Sequence, residues 1–143
     1  MKKQILTLFL SIIGFGLFAQ DKYLKSISKT QELSEKITEL FYEKKYSEAY
    51  KELEPFWQLP ADELKSLKEK TDHYLPVIEE RIGKPIGTLK IKTEKISNIA
   101  IRETYFIRYE ISAIRLVFTY YKNDNGWIVN AFKWDDTFAD VFE

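Results

Sequence analysis

Residues 113–134 read AIRLVFTYYKNDNGWIVNAFKW. Two runs dense in β-branched and aromatic residues meet at Asn123-Asp124-Asn125-Gly126. Asn-Gly is a strong short-range hairpin signal, because both residues tolerate the positive φ that a tight turn needs. The stretch is therefore expected to form two antiparallel strands, 113–122 and 127–134, joined at that turn. Working outward, 86–96 and 99–111 have the same composition, which makes a sheet of about four strands over 86–134. Period-two alternation points Ile107, Tyr109 and Ile111 one way and Phe106 the other. It sets Leu116, Phe118 and Tyr120 against Val117, Thr119 and Tyr121, and Trp127 and Val129 against Ile128, Phe132 and Trp134. Apolar residues thus occupy both faces, whereas a sheet backed by solvent alternates more cleanly. One face is expected to take the helices and the other to meet a second copy, the C-terminal tail 138–142, or a ligand.

Before the sheet the period changes to that of a helix. Ile37, Leu40, Phe41 and Lys44 form one stripe, and Tyr46, Ala49, Tyr50, Leu53 and Phe56 continue the spacing after a break near Lys45. Pro55 and Pro60 interrupt the pattern. Pro60 then opens a second helical stretch, with Asp62 and Glu63 in its first turn complementing the helix dipole. Leu64, Leu67, Thr71, Tyr74, Leu75, Ile78 and Ile82 recur up to Gly83, and Pro76 within this run predicts a kink. The expected class is α+β, with helices over about 22–83 packed on the sheet.

The first residues address the compartment. Lys2 and Lys3 precede an apolar run from Ile5 to Phe18, and Ala19 offers a small residue for cleavage, so 1–19 reads as a secretory signal peptide. The run is short of the roughly 20 apolar residues that span a bilayer, so no stable membrane anchor is expected after cleavage. Residues 20–143 are enough for a single domain of ordinary size. The 22 basic side chains fall to 20 when Lys2 and Lys3 leave, against 22 acidic ones, a net charge of −2. Such near-neutrality argues against a nucleic-acid binder, which would carry a basic footprint. The chain has no cysteine, which excludes disulfides, thiolate metal sites, thiol nucleophiles and a lipidated N-terminal cysteine.

Two or three helices followed by an antiparallel sheet that ends in NDNGWIVNAF resemble small secreted members of the cystatin-like, nuclear transport factor 2-like superfamily. Their last strands often read as a polar turn, Gly, Trp and alternating aliphatics, matched here by Gly126-Trp127-Ile128-Val129. The resemblance implies a curved sheet forming a cone whose open end can hold a small ligand, and sheets that often dimerise. The superfamily includes ketosteroid isomerase-like enzymes and many members without catalytic activity, so the shape alone assigns no function.

No catalytic set emerges from the residues. His73, the single histidine, falls opposite the apolar stripe of its helix and beside Glu69 and Glu80, on the expected solvent face. It lacks the three or four ligands of a zinc site. Aligning Asn123, Asn125 and Gly126 with an EF-hand loop puts Tyr121 and Phe132 where Asp and Glu are required. No cofactor fingerprint occurs, so neither cofactor nor metal is expected. An acid/base mechanism in the cone would need an Asp base buried near Tyr105 or Tyr109, and none lies in the strands on their face. Glu103, Glu110, Asp135, Asp136, Asp140 and Glu143 are read as solvated, since charged side chains are seldom buried unpaired. The positive feature is Arg102, Tyr105, Arg108, Tyr109 and Arg115 near Trp127 and Trp134, read either as rings of the sheet core with arginines as edge charges that discourage strand addition or as a set suited to a small anionic or aromatic ligand or a protein partner.

The expected function is that of an exported, periplasmic or secreted, non-catalytic module that binds a small ligand or a protein partner. The competing expectation is an isomerase- or dehydratase-type enzyme with its site in the cone. A homodimer through the sheet is expected to cover Val117 and Tyr121 on the face away from the helices.

Overall fold

A computed structural model describes residues 21–142. The segment read as a signal peptide lies outside the described residues. Among those described, no helix is long and apolar enough to cross a membrane. Three helices, α1 (Ile27–Tyr42), α2 (Tyr46–Leu53) and α3 (Ala61–Ile82), precede four strands, β1 (Pro85–Ile96), β2 (Ala100–Tyr109), β3 (Ala113–Asn123) and β4 (Gly126–Asp135). A short 3₁₀ turn, Phe138–Phe142, follows. The strands form one antiparallel sheet in sequence order, and the α+β class is as the periodicity predicted.

α1 begins at Ser26, whose Oγ accepts the Lys29 amide at 3.2 Å. It ends in a Schellman motif: the Lys45 amide donates to the Leu40 carbonyl at 2.8 Å and the Lys44 amide to that of Phe41 at 3.0 Å. Lys44 holds the left-handed φ of 61° that glycine usually supplies there. The break expected near Lys45 is this motif. α3 starts after Pro60 and runs on through the exposed Pro76. Tyr74, expected on its apolar stripe, is exposed instead, and Glu79 takes a buried place one turn beyond Leu75.

α1 lies over β1, β2 and β3, and α2 packs between α1 and α3. The core between them is ring-rich: Phe132 meets Phe41, Tyr50, Trp57 and Phe118 at centroid distances of 4.9–6.3 Å. Burial of this interior supplies the main driving force for folding. Leu116, Phe118 and Tyr120 face the helices as alternation predicted.

β4 departs from the prediction. Thr119 pairs with Ala131 but Tyr120 pairs with Val129, so Asn130 is an extra residue in the ladder. A bulge of this kind shifts the side-chain phase by one. Phe132 and Trp134 therefore turn to the helix side with Trp127 and Val129, which corrects the expectation that they oppose them. Two further register shifts in β1, between Pro85 and Gly87 and between Lys90 and Lys92, bend the sheet at its free edge.

The opposite edge is occupied. Leu24 and Trp127 exchange two backbone hydrogen bonds of 2.8 Å, and Trp57 bridges to Val129. The turn between β3 and β4 is where Asn-Gly predicted, but its chemistry differs. The Asn123 side chain accepts the Asn125 amide at 2.8 Å, and within the turn only Gly126 has positive φ, at 139°.

Candidate functional site

The pleat divides the residues singled out in the sequence. Tyr105, Tyr109, Trp127 and Trp134 belong to the helix side. Arg102, Arg108 and Arg115 stand at register positions on the other face, with Thr104, Phe106, Val117 and Thr119. Guanidinium groups and rings that are neighbours in sequence are thus separated by the thickness of the sheet.

On the open face the register aligns two rows across all four strands: Glu94, Arg102, Thr119 and Ala131, and beside them Lys92, Thr104, Val117 and Lys133. Small side chains, Thr104, Val117, Thr119 and Ala131, lie among long charged ones. The result is a trough of about 280 Å³, floored by Thr104, Val117, Thr119 and Ala131 and walled by Lys92, Arg102, Arg115 and Lys133. Glu94 is the single acid on the wall, 3.7 Å from Lys92. Arg115 is fixed by a two-pronged hydrogen bond to Asp135, at 3.0 and 2.8 Å. Burial pulls the Asp135 carboxyl upward, but hydrogen bonds from Arg115 and Thr137 outweigh it and hold the group below its ordinary range. Arg102 and Lys133 have no salt-bridge partner among the described residues. Lys92 is paired with Glu94, and Arg115 with Asp135 and, at 3.7 Å, Asp140. The uncompensated charge is therefore that of Arg102 and Lys133, which beside the Thr104 and Thr119 side chains is chemically suited to an oxyanion.

The apolar character expected of this face is reduced within the single chain. Val117 is only 7 % exposed, and Phe138 of the tail packs edge-on against Phe106 at 6.2 Å. Tyr121 remains exposed.

The helix side holds groups that the sequence reading missed. Glu103, expected in solvent, is 0 % exposed. Strand alternation places it in line with Tyr105 and Ile107, and Ser34 Oγ donates to its Oε2 at 2.5 Å. Ser34 is also 2.6 Å from Tyr120 Oη, which donates to the Thr30 carbonyl at 3.0 Å. Burial pushes the Glu103 carboxyl above the usual carboxylate range, opposed by the hydrogen bond from Ser34 and by Lys90. Its Oε1 and the Tyr105 hydroxyl have no hydrogen-bond partner among the described residues.

A second buried carboxylate, Glu79, accepts from Tyr46 Oη, with Lys44 Nζ 3.4 Å away. Burial and the Glu79 carboxylate both push the Tyr109 hydroxyl upward. Both acids depend on partners remote in sequence, Ser34 and Tyr46, so no local pattern announces them. The remaining strand-flanking acid, Glu110, is exposed and accepts the Lys84 amide at 3.2 Å. His73 is exposed and touches Tyr74 edge-on, at 4.7 Å between ring centroids. Among the described residues no group of three or more His, Cys, Asp or Glu side chains is placed to hold a metal ion.

Compared with known proteins, the chain matches no family model, no curated protein and no solved structure.

Proposed function

We propose that this chain is an exported, non-catalytic binding module whose open sheet face takes a small anionic ligand. The observation that carries the reading is the trough in which Lys92, Arg102, Arg115 and Lys133 surround a floor of small side chains. Export is supported by the leader-like residues 1–19. The non-catalytic part is supported by the composition of the wall, which offers no histidine and whose one acid is engaged by a lysine. The order of helices and curved sheet supports placing the chain with the cystatin-like, nuclear transport factor 2-like folds.

One observation favours the second reading, an acid/base enzyme in the cone: a buried carboxyl, Glu103, close in the same strand to Tyr105. Against it, Glu103 is closed off beneath Ser34 and Tyr120, and the rings of Phe41, Phe118 and Phe132 fill the adjoining interior.

Calorimetric titration with pyrophosphate and with benzoate tests the anion reading. Saturable binding to at least one, weakened by added salt and lost in Arg102→Ala/Lys133→Ala, is the expected result. Both side chains are exposed, so the double variant should fold normally. Binding to neither anion, or binding unchanged in the variant, would overturn it.

A further inference from the structure

A second concavity lies between α1 and β1, away from the trough, and its chemistry is opposite in sign. It has a volume of about 300 Å³ and is lined by Glu35 and Glu39 on α1, by Thr88 and Lys90 on β1, and by Tyr105. Glu35 and Glu39 stand one helical turn apart and so share a face of α1. Glu39 accepts the Thr88 hydroxyl at 2.9 Å, while Glu35 has no salt-bridge partner among the described residues. Tyr105 is 3 % exposed, and its hydroxyl is unpartnered among the described residues. Lys90 Nζ lies 5.8 Å from the centre of the Tyr105 ring.

An aromatic face beside an unpaired carboxylate is the chemistry that recognises an alkylammonium group. The chain's own Lys90 already presents such a group to that ring, and Lys90 also lies close enough to oppose the upward shift of the Glu103 carboxyl. We propose that the groove between α1 and β1 is a binding site for a small primary ammonium compound, whose charged head takes the position over Tyr105 that the Lys90 ammonium now holds. Glu35 supplies the counter-charge. Burial and the neighbouring Glu103 and Glu35 carboxylates keep the Tyr105 phenol protonated, so the ring the ammonium meets is neutral. At roughly 30 Å³ of liquid volume per water molecule, the groove suits a compound of a few heavy atoms.

The site makes a prediction opposite to ordinary mutational loss, because removing a competing internal ammonium should strengthen binding. Titration of the mature protein with n-butylammonium chloride, followed by amide chemical shifts at constant ionic strength, is the test. Saturable shifts centred on Tyr105 and Lys90 are expected, with a dissociation constant on the order of 1–10 mM for one ring contact and one carboxylate. Lys90→Met should tighten binding about fivefold and Glu35→Gln should weaken it about fivefold, both within the range of single charge contacts. Lys90 and Glu35 are exposed, so neither change threatens the fold. Equal shifts from n-butanol, no saturation with Lys90→Met, or an affinity indifferent to Glu35→Gln would each overturn the proposal. Because the trough is not involved, failure here leaves the anion reading standing, and the reverse also holds.

Discussion

Replacing Gly126 with Ala tests the turn, the strand edge and the N-terminal segment together. Gly126 has φ of 139°, a region that costs an L-residue roughly 1–3 kcal/mol. A Cβ built there would sit 2.8 Å from the Leu24 carbonyl oxygen and 3.1 Å from Tyr23 Cβ. The first contact is with backbone, so no side-chain rotation removes it, and residues 23–24 must move. Leu24 is tied to Trp127 by two hydrogen bonds of 2.8 Å, each with a net worth of about 0.5–1.5 kcal/mol. Its buried side chain contributes roughly 1.5–3 kcal/mol more when withdrawn from water. Full detachment of the segment would lose all of these contributions, whereas partial displacement keeps some of the burial. We expect Gly126→Ala to cost about 2–4 kcal/mol, read as a lower midpoint in urea unfolding. Hydrogen exchange should show the Leu24 and Trp127 amides losing protection before the remainder of the sheet. A loss below about 0.5 kcal/mol, with the Leu24 amide still protected, would refute the claim that this position requires glycine.

Two further outcomes follow from the buried acids. Burial raises the folded-state pKa of Glu103 above its ordinary value of 4.5, so the contribution is fully present below that pH and is lost as pH rises through the raised value. Stability of the native chain should therefore decline relative to Glu103→Gln as pH rises above 4.5. Urea midpoints measured across a pH series check this, and parallel profiles would contradict it. Tyr46→Phe removes a donor to the buried Glu79 carboxylate and should cost about 1.5–3 kcal/mol. Chemical denaturation measures that loss, and a value near zero would show that Lys44 alone satisfies the group.

What could be read from the sequence follows from where the information resides. The faces of β3 were legible because Leu116, Phe118 and Tyr120 alternate without interruption. The helix boundary at Lys45 was legible from the stripe, although Lys44 hid the turn by occupying a position where glycine is the usual signal. Phe132 and Trp134 were assigned to the wrong face because one extra residue, Asn130, reverses the parity and carries no sequence mark. Glu103 and Glu79 were invisible for another reason. The prior that acids are solvated fails only when a specific partner is supplied, and Ser34 is 69 residues from Glu103. The arginines of the trough were picked out, but its floor was not. Thr104, Val117, Thr119 and Ala131 become neighbours only through the register of three strands.

The unequal edges of the sheet limit how copies of this chain can assemble. β4 is engaged at Trp127 and Val129, while β1 is the outer strand on the other side. Open-ended growth of a fibre needs two receptive edges on every copy, one for each neighbour. Here the described residues cover the first half of the β4 edge, at Trp127 and Val129, and leave the two edges unequally receptive. Two chains that met through β1 about a twofold axis would each turn outward a β4 edge already engaged at Trp127 and Val129. Leu24 and Trp57, besides extending the fold, thus deny a second chain the Trp127–Val129 stretch of this aromatic-rich sheet's edge.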